Sequence, residues 1–336
     1  MSQIKFTVIM PCYNSALFIK DAIDSLLNQK YENWELIAVN DGSTDNTLEI
    51  LNSYADNDKR IRVFSKENGG YSTAINYGLS RVCGDYFLMM GSDDRLSFDL
   101  FYNIIEKIKN IELPDMIGFR AIRCISRNVQ EIDAISNFDT LAYMYDTTIN
   151  EFEKIYQKHS KILFIRDTAK CFKTSLLGDL MYFGKYGYDA DGVFSSLFAH
   201  KCRSFLCIPL VGYFWTIRES SVSATCDTNK NLDRIKVWAK YVIALKRNPK
   251  IRLTMQEKRY VFYTIKVSIE LLDSGSKLCC KDYFIMNKAM RASLVFAEKQ
   301  NLDLGIYVMP KNKIKRIIYL LFPVLWLKRH GFLTRK

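Results

Sequence analysis

The first hundred residues alternate between short apolar runs and segments with apolar residues at helical spacing. Four runs have the length of a buried strand: Lys5–Met10, Trp34–Val39, Ile61–Phe64 and Tyr86–Met90. Three segments between them have helical periodicity: Ala16–Gln29, Leu48–Tyr54 and Ser72–Val82. Because strands that alternate with helices run in the same direction, this order predicts an α/β fold with a mostly parallel sheet.

Three of these predicted strands end in polar loops. The first loop contains Pro11 and Tyr13, the second contains Asp41, and the last strand is followed by Ser92 and Asp93. In an open parallel sheet, ligands bind in the crevice outside the carboxyl ends of the strands. We therefore expect the loops around Tyr13, Asp41 and Asp93 to converge on one site.

The adjacent carboxylates Asp93 and Asp94 at the end of an apolar strand indicate a metal. A carboxylate there is disfavoured unless it is solvated, hydrogen-bonded or close to a cation. The chain lacks G-x-G-x-x-G after its first strand and lacks G-x-x-x-x-G-K-[ST] throughout, so a phosphate-bearing ligand would need a divalent cation. In the structural alternative, Asp41 and Asp45 shape a turn and cap a helix, and Asp93 and Asp94 are ordinary loop acids.

Four successive motifs resemble those of the family 2 inverting glycosyltransferases, which have the GT-A fold. They are Val8–Asn14 (VIMPCYN), Val39–Asp45 (VNDGSTD), Glu67–Gly70 (ENGG) with Ala74 and Asn76, and Ser92–Asp94 (SDD). Each motif alone is weak, but four in this order and at this spacing are specific. The resemblance implies a Rossmann-like, mostly parallel sheet flanked by helices.

The resemblance also implies roles for residues of these motifs. Tyr13 would pack against the base of a nucleotide-sugar donor, and Asp41 would accept a hydrogen bond from that base. Asp93 would bind Mn²⁺ or Mg²⁺, and the metal would offset the charge that develops on the departing nucleoside diphosphate. Further residues of the donor site would be Pro11 and Ser92, with Asn68 and Asp94 in support.

A looser resemblance to the same family lies between residues 168 and 223. Tyr188–Phe194 (YDADGVF) is similar to the family's Glu-Asp base motif, and the alignment places Asp191 at the catalytic aspartate. That aspartate would take the proton from the acceptor hydroxyl as the hydroxyl attacks the anomeric carbon from the face opposite the diphosphate. Because Ala190 stands where the motif usually has glutamate, Asp189 remains an alternative base.

The chain departs from the family at three further positions. Gly91 stands where the metal motif commonly begins with an acid, Ile75 where many members have arginine, and Thr168 where many have tryptophan. Without an acid at residue 91, Asp93 would bind the metal with fewer protein ligands. Water or phosphate oxygens would then complete the coordination, as suits Mg²⁺.

The composition is that of an enzyme with a large core. The 336 residues are 49% hydrophobic and 25% charged, enough for one large domain with an appendage or for two domains. The nine cysteines have no C-x-x-C pairs or disulfide-like spacing, and the three histidines have no ligand spacing. Because the N-terminus enters a strand within a few residues and has no signal-peptide core, we expect reduced thiols and a cytoplasmic location.

We expect three regions along the chain. Residues 1–226 form the GT-A catalytic domain, with a nucleotide-sugar-binding half at 1–125 and an acceptor half at 126–226. Residues 227–310 form a C-terminal helical region, and residues 311–336 a basic amphipathic tail. Three Gly-poor, periodic segments predict the helices of that region: Leu232–Leu245, Met255–Leu272 and Tyr283–Phe296.

The tail carries a distinct signal. Residues 311–336 contain eight lysines or arginines and no acid, and so supply eight of the formal net charge of +12. The apolar run Ile317–Leu327 between the basic ends has eleven residues, fewer than the roughly 20 that span a bilayer. This pattern favours contact with an anionic membrane surface. The alternatives are a core helix with a solvated basic rim and a nucleic-acid patch, and the apolar run argues against nucleic acid.

These patterns predict a metal-dependent enzyme that moves one sugar from a nucleotide-diphosphate donor to a glycan hydroxyl with inversion. The tail favours a lipid-linked oligosaccharide acceptor at the inner face of the cell membrane, in surface polysaccharide synthesis. Because no Q-x-x-R-W motif or spanning helix is found, single additions are favoured over processive synthesis. Two alternatives remain: a polyprenyl-phosphate glycosyltransferase, and a degenerate, non-catalytic protein that binds nucleotides or glycans.

Overall fold

The computed structural model describes residues 3–125, 131–134, 167–185, 187, 189–217, 228–246 and 280–299. The strands in these ranges are β1 (Phe6–Cys12), β2 (Trp34–Asp41), β3 (Ile61–Lys66), β4 (Tyr86–Met89), β5 (Arg95–Leu96), β6 (Met116–Ile125), β7 (Glu131–Ala134), β8 (Lys170–Lys173) and β9 (Phe205–Ile217). The helices are α1 (Ile19–Leu27), α2 (Thr47–Asn57), α3 (Tyr71–Leu79), α4 (Leu100–Ile108), α5 (Ala190–Ala199), α6 (Thr228–Lys246) and α7 (Cys280–Lys299).

The strands form one sheet in the order β3-β2-β1-β4-β8-β6-β9-β5, with β7 paired to β6. Strands β3, β2, β1 and β4 are parallel to one another, and β6 is parallel to β9. The antiparallel pairs involve β5, β7 or β8. The α/β fold with a mostly parallel sheet that the sequence predicts is therefore confirmed.

The central strands are buried on both faces, which explains their continuous apolar sequence. Successive side chains of a strand point to opposite faces, so Val8 and Leu88 pack in one apolar cluster while Ile9 and Phe87 pack in another. The first cluster also contains residues of α1 and α4. The second contains residues of α3, α5 and α6. The helices thus cover both faces of the sheet. The buried polar residues described below lie at the amino and carboxyl ends of the parallel strands.

The predicted elements match the observed ones, with differences at their ends. Strand β2 continues to Asp41, beyond the predicted end at Val39, because Asn40 and Asp41 pair in parallel register with residues of β3. Helix α1 begins at Ile19, since the carbonyl of Ser15 accepts the backbone N–H groups of Phe18 and Ile19 in a preceding turn. Asp41 is therefore the last residue of a strand, which fixes its backbone more firmly than a loop would.

Helix α6 is packed into the same core as the sheet. Val237, Trp238 and Tyr241 belong to the apolar cluster that contains Phe194 of α5 and Phe87 of β4. The two described C-terminal helices contain the predicted segments Leu232–Leu245 and Tyr283–Phe296. The predicted helix Met255–Leu272 and the basic tail lie outside the described residues, and the domain boundary at residue 226 stays a prediction. Within the described ranges, no helix combines the length and the apolar character needed to cross a bilayer.

The amino-terminal edge of the parallel strands contains a buried carboxylate, Glu35. Its Oε1 accepts hydrogen bonds from Thr7 Oγ1 at 2.7 Å and Cys83 Sγ at 2.8 Å, and its Oε2 is 3.1 Å from Lys5 Nζ and 3.3 Å from Arg62 Nη1. Burial acts to raise the pKa of Glu35, but hydrogen bonds from Cys83, Thr7 and Lys5 outweigh burial and lower it. The ionised carboxylate therefore holds four chain segments together at this edge.

The lowered pKa of Glu35 predicts acid-sensitive stability. Its contribution is fully present above the ordinary value of 4.5 and is lost as the pH falls through the lower pKa of the folded state. Glu35→Gln should lower the urea midpoint at pH 7 and reduce the change in that midpoint between pH 6 and pH 3. Glu106→Gln removes an exposed ion pair with Lys109 instead and should change neither. Equal pH dependence in the two variants would contradict this assignment.

Candidate functional site

The loops after β1 and β2 are joined by hydrogen bonds. Asn14, which has a left-handed φ of 47°, donates from its backbone N–H to Ser43 Oγ at 3.1 Å and accepts from the Thr44 N–H at 2.8 Å. Pro11 is buried in β1, whereas Tyr13 exposes 49% of its surface beside this junction. Tyr13 is therefore a large aromatic side chain left open to solvent at the carboxyl edge of the sheet.

A serine pair connects these loops to the loop after β4. Ser15 Oγ lies 2.6 Å from Ser92 Oγ, and both residues are buried. The Ser15 N–H also donates to Thr47 Oγ1 at 2.7 Å, which connects the same residue to α2. Three separate chain segments therefore meet at Ser15, and Ser92 is fixed beside the loop that carries Tyr13.

Asp41 is buried at the end of β2, with three donors around its carboxylate. Lys66 Nζ lies 2.5 Å and the Gly69 N–H 3.0 Å from Oδ1, and the Gly70 N–H lies 2.8 Å from Oδ2. Lys66 Nζ also donates to the Glu67 carbonyl at 2.5 Å. Asp41 thus holds the Glu67–Gly70 motif against the end of β2.

Lys66 is a site residue that sequence reasoning missed. It is paired with Asp41 in the register of β2 and β3, and its Nζ makes a further hydrogen bond to Thr73 Oγ1 at 3.1 Å. With the Asp41 and Glu67 contacts, this gives three acceptors for the three N–H bonds of the ammonium group. A lysine at the end of a predicted strand is a possible signal, but only the register shows which acid it meets.

Asn68 is exposed and its backbone lies over Gly42. A Cβ at Gly42 would lie 2.8 Å from the Asn68 backbone nitrogen, and Gly42 has a φ of +69°. Glycine is therefore required at residue 42 both for the left-handed conformation and for the close approach. Without it, the loop that carries Asn68 would move away from Asp41.

Asp94 is buried and engaged through both of its carboxylate oxygens. Tyr213 Oη donates to Oδ2 at 2.5 Å, and the Thr216 N–H donates to Oδ1 at 2.9 Å. The Tyr213 oxygen accepts the Gly91 N–H at 3.1 Å. Burial, and next the charge of Asp94, raise the pKa of Tyr213 well above its ordinary value, so its hydroxyl stays protonated and donates. Asp94 therefore joins the turn after β4 to β9.

Gly91 has a steric role in this turn. A Cβ at residue 91 would lie 2.5 Å from Asp94 Oδ2 and 2.9 Å from Asp93 Oδ1, closer than real Cβ contacts. The Asp94 N–H donates to the Gly91 carbonyl at 3.1 Å, which closes the turn. The acid that the family commonly has here is therefore replaced by the one residue that leaves room for both carboxylates.

The donor set of this turn fits a hard divalent cation with few protein ligands. Asp94 is buried with both oxygens engaged by the protein, whereas Asp93 is partly exposed and is the more accessible of the two carboxylates. No group of three or more His, Cys, Asp or Glu side chains within the described ranges could hold a metal ion. A single carboxylate together with diphosphate oxygens and water is a common arrangement for Mg²⁺.

The second predicted part of the site is at the start of α5. Asp191 is in the first turn, where a negative charge is favourable, and its Oδ1 accepts the Gly192 N–H at 2.8 Å. Asp189 precedes the helix with a left-handed φ of 56°. Its Oδ2 accepts a hydrogen bond from Arg234 Nε of α6 at 3.1 Å. Asp189 is thus paired with a cation, and Asp191 lies in the first turn of the helix.

Tyr71, the first residue of α3, is affected by the charges of both parts of the site. Its pKa is raised well above the ordinary value of 10.0, first by burial and then by the negative charges of four carboxylates. These are Asp167, Asp191, Asp94 and Asp93. Carboxylates of the turn after β4 and of the start of α5 thus affect the same tyrosine side chain, which sequence reasoning did not single out.

Two of the residues that differ from the family pattern are buried in the same apolar cluster. Ile75 and Ala190 are both buried in the second apolar cluster. An isolated charged residue at either position would be buried in apolar surroundings at a large cost. The apolar residues at these two positions therefore agree with their environment.

The chain belongs to the family described as Glycosyl transferase family 2, whose model matches residues 7–179, just over half of the sequence. An uncharacterised glycosyltransferase of Haemophilus influenzae is 32% identical over 193 residues, which are 53% of this chain and 76% of that protein. Glycosyltransferase GlyA of Streptococcus pneumoniae is 32% identical over 192 residues, which are 55% of this chain but only 27% of GlyA.

A solved structure with a similar fold is S. aureus TarS 1-349 in complex with UDP-GlcNAc. The two folds superpose with a TM-score of 0.64 at 19% identity, over 98% of this chain and 92% of that one. A complex of the same TarS fragment with UDP gives a TM-score of 0.59. At this identity the likeness concerns the fold, which is the GT-A fold that the motifs predict.

The steric role of Gly91 can be tested by adding one methyl group. Gly91→Ala should displace the Asp93 and Asp94 carboxylates, and it should weaken the expected binding of Mn²⁺ with a nucleoside diphosphate by about 10- to 100-fold, as for residues that orient metal ligands. Isothermal titration calorimetry measures this change. Gly118→Ala is the control, because the nearest atom to its new Cβ is Cys207 Sγ at 3.9 Å. Equal binding by both variants would be evidence against this role.

Proposed function

We propose that this protein transfers one sugar from a nucleotide-diphosphate donor to a hydroxyl group of a glycan, with inversion at the anomeric carbon. The observation that carries the proposal is that the charges of Asp93, Asp94 and Asp191, which come from segments about a hundred residues apart, all raise the pKa of Tyr71. An inverting transfer to a hydroxyl needs the leaving group and the base on opposite sides of the reacting carbon. Membership of family 2 supports the same chemistry.

The donor would bind along the carboxyl edge of β1, β2 and β4. Tyr13 would stack on the base. Asp41 would accept a hydrogen bond from a base N–H through Oδ2, which also accepts the Gly70 N–H. Pro11, Ser92 and Asn68 would shape the walls. The fold is shared with a protein whose complex holds UDP-GlcNAc, which supports a nucleotide sugar as donor.

The diphosphate would be bound through a divalent cation, Mn²⁺ or Mg²⁺, held by Asp93. When bound, this cation would supply Lewis-acid stabilisation for the leaving diphosphate. Asp94 would keep the turn in place through Tyr213 and Thr216. Asp93 would therefore contact the metal, and Asp94 would position it.

Asp191 is the preferred base. Asp189 is held by Arg234 at 3.1 Å, and removing a proton from an acceptor would compete with that ion pair. The charges of Asp191 and Asp93 both raise the pKa of Tyr71. This shared effect supports a position for Asp191 near the donor site. Its carboxylate would take the proton of the acceptor hydroxyl as the new glycosidic bond forms.

Replacement of the base tests this assignment. Asp191→Asn should lower kcat by about 10²- to 10⁴-fold, the usual contribution of a general base, with little change in donor affinity. Asp179→Asn, at a side chain that is 92% exposed, is the matched control. Nucleoside diphosphate release in the presence of acceptor measures kcat, and UDP titration measures affinity.

The same variant separates the alternatives. A phosphate acceptor is already ionised and needs no base, so full activity of Asp191→Asn would indicate a polyprenyl-phosphate glycosyltransferase instead. Binding of nucleotide sugars without turnover by the wild-type protein, under every acceptor tried, would indicate the degenerate, non-catalytic alternative.

The basic tail supports a lipid-linked oligosaccharide as acceptor and a position at the inner face of the cell membrane. Each basic residue near an anionic membrane contributes about 1 kcal/mol of binding free energy. The test exchanges four basic tail residues for glutamine, namely Lys311, Lys313, Lys315 and Arg316. This variant should therefore bind phosphatidylserine vesicles at least about 100-fold more weakly. The control exchanges four exposed lysines outside the tail: Lys20, Lys236, Lys240 and Lys288. Equal sedimentation of both variants with vesicles would exclude the tail as the membrane contact.

A further inference from the structure

The segment that precedes the proposed base is attached on one side to α3. The Tyr182 N–H donates to Asn76 Oδ1 at 2.7 Å, and Asn76 Nδ2 donates to the Tyr182 carbonyl at 2.9 Å. Ser72 Oγ donates to the Phe183 carbonyl at 3.2 Å. The side chains of α3 thus hold the backbone of residues 182 and 183.

On its other side the segment is attached to α6. The Lys185 N–H donates to Asp233 Oδ2 at 2.7 Å, and Asp233 is only 4% exposed. Gly184 makes room for this carboxylate, because a Cβ there would lie 2.7 Å from Asp233 Oδ2. At the next residue of the helix, Arg234 Nε donates to Asp189 Oδ2 at 3.1 Å. Two consecutive residues of α6 therefore hold both flanks of the stretch from residue 185 to residue 189.

Among the described residues between 182 and 189, three have a left-handed backbone. Gly184, Gly187 and Asp189 have φ values of 82°, 80° and 56°. A left-handed φ is unfavourable for a residue with a side chain, and such conformations persist where surrounding contacts impose them. The contact to Arg234 is made at Asp189, the one non-glycine among the three. The turn that leads into α5 is thus maintained from α6.

Helix α6, which makes these contacts, is itself packed into the core. Val237, Trp238 and Tyr241 are buried in the cluster that also contains Phe194 of α5, and the Arg234 guanidinium lies 5.7 Å from the centre of the Trp238 ring. Functional residues held by packed elements keep their geometry better than residues on free loops. The position of α6 relative to α5 therefore determines where the first turn of α5 begins.

We propose that Asp233 and Arg234 are positioning residues that set the place of Asp191, so that α6 is part of the catalytic unit. The proposal rests on the proposed function, because it takes Asp191 as the base. Arg234 acts through Asp189, two residues before Asp191, and Asp233 acts through the backbone of Lys185.

The first experiment removes the guanidinium and keeps the aliphatic stem. Arg234→Met should lower kcat by about 10- to 100-fold with UDP affinity unchanged, because the donor loops belong to β1, β2 and β4. Arg234→Lys keeps the charge and should recover part of the loss. Lys240→Met, at an exposed position of the same helix, is the matched control and should behave as the wild type.

The second experiment tests the hydrogen bond that Asp233 accepts from the Lys185 N–H. Asp233→Asn retains an acceptor for the Lys185 N–H and should keep most of kcat, whereas Asp233→Ala removes it and should lose as much as Arg234→Met. Amide hydrogen exchange in peptides from α5 should become faster in Asp233→Ala and Arg234→Met. Exchange in peptides from β1 and β2 should not change.

Two outcomes would overturn the proposal. The first is wild-type kcat and wild-type α5 exchange in Arg234→Met and Asp233→Ala. The second is a loss of kcat that follows the melting temperature across all variants, which would mean that these residues only stabilise the fold. The exchange measurement needs no substrate, so it tests the positioning role even if the wild-type protein transfers no sugar and the proposed function fails.

Discussion

The candidate site depends on two buried carboxylates at the carboxyl edge of the parallel sheet. Asp41 binds Lys66 and the backbone of the Glu67–Gly70 motif, and Asp94 binds Tyr213 and the Thr216 backbone of β9. Loss of the donors would leave a buried negative charge, which costs several kcal/mol. Each carboxylate therefore keeps distant segments of the chain together, and the loops of the site are held in place without a ligand.

This arrangement divides the acids of the site into two groups. Asp41 and Asp94 are 3% and 4% exposed and have their oxygens occupied by protein donors, so most of their binding capacity serves the fold. Asp93 and Asp191 are partly exposed, so a ligand can reach them more easily. Their proposed roles toward a metal and an acceptor agree with this difference in burial.

Much of this could be predicted because parallel strands place their carboxyl ends on one edge. That rule is enough to bring Tyr13, Asp41 and Asp93 to the same crevice from the order of strands and helices. The partners of the acids could not be predicted. Tyr213 and Arg234 lie in segments whose approach depends on strand pairing and helix packing, and no local pattern marks either residue. Gly91 looked like a missing ligand and is instead the residue that makes room for two carboxylates.

The order of residues by itself determined the elements, the mostly parallel sheet, the family motifs and the identity of the acids, because these depend on local periodicity and on spacing along the chain. The tertiary structure alone decided which acids are buried, which cation holds Asp189 and that α6 shares the core with α5. Those features depend on contacts between residues far apart in sequence. A shift of one residue in strand register, or of one turn along a helix, would give a side chain a different partner.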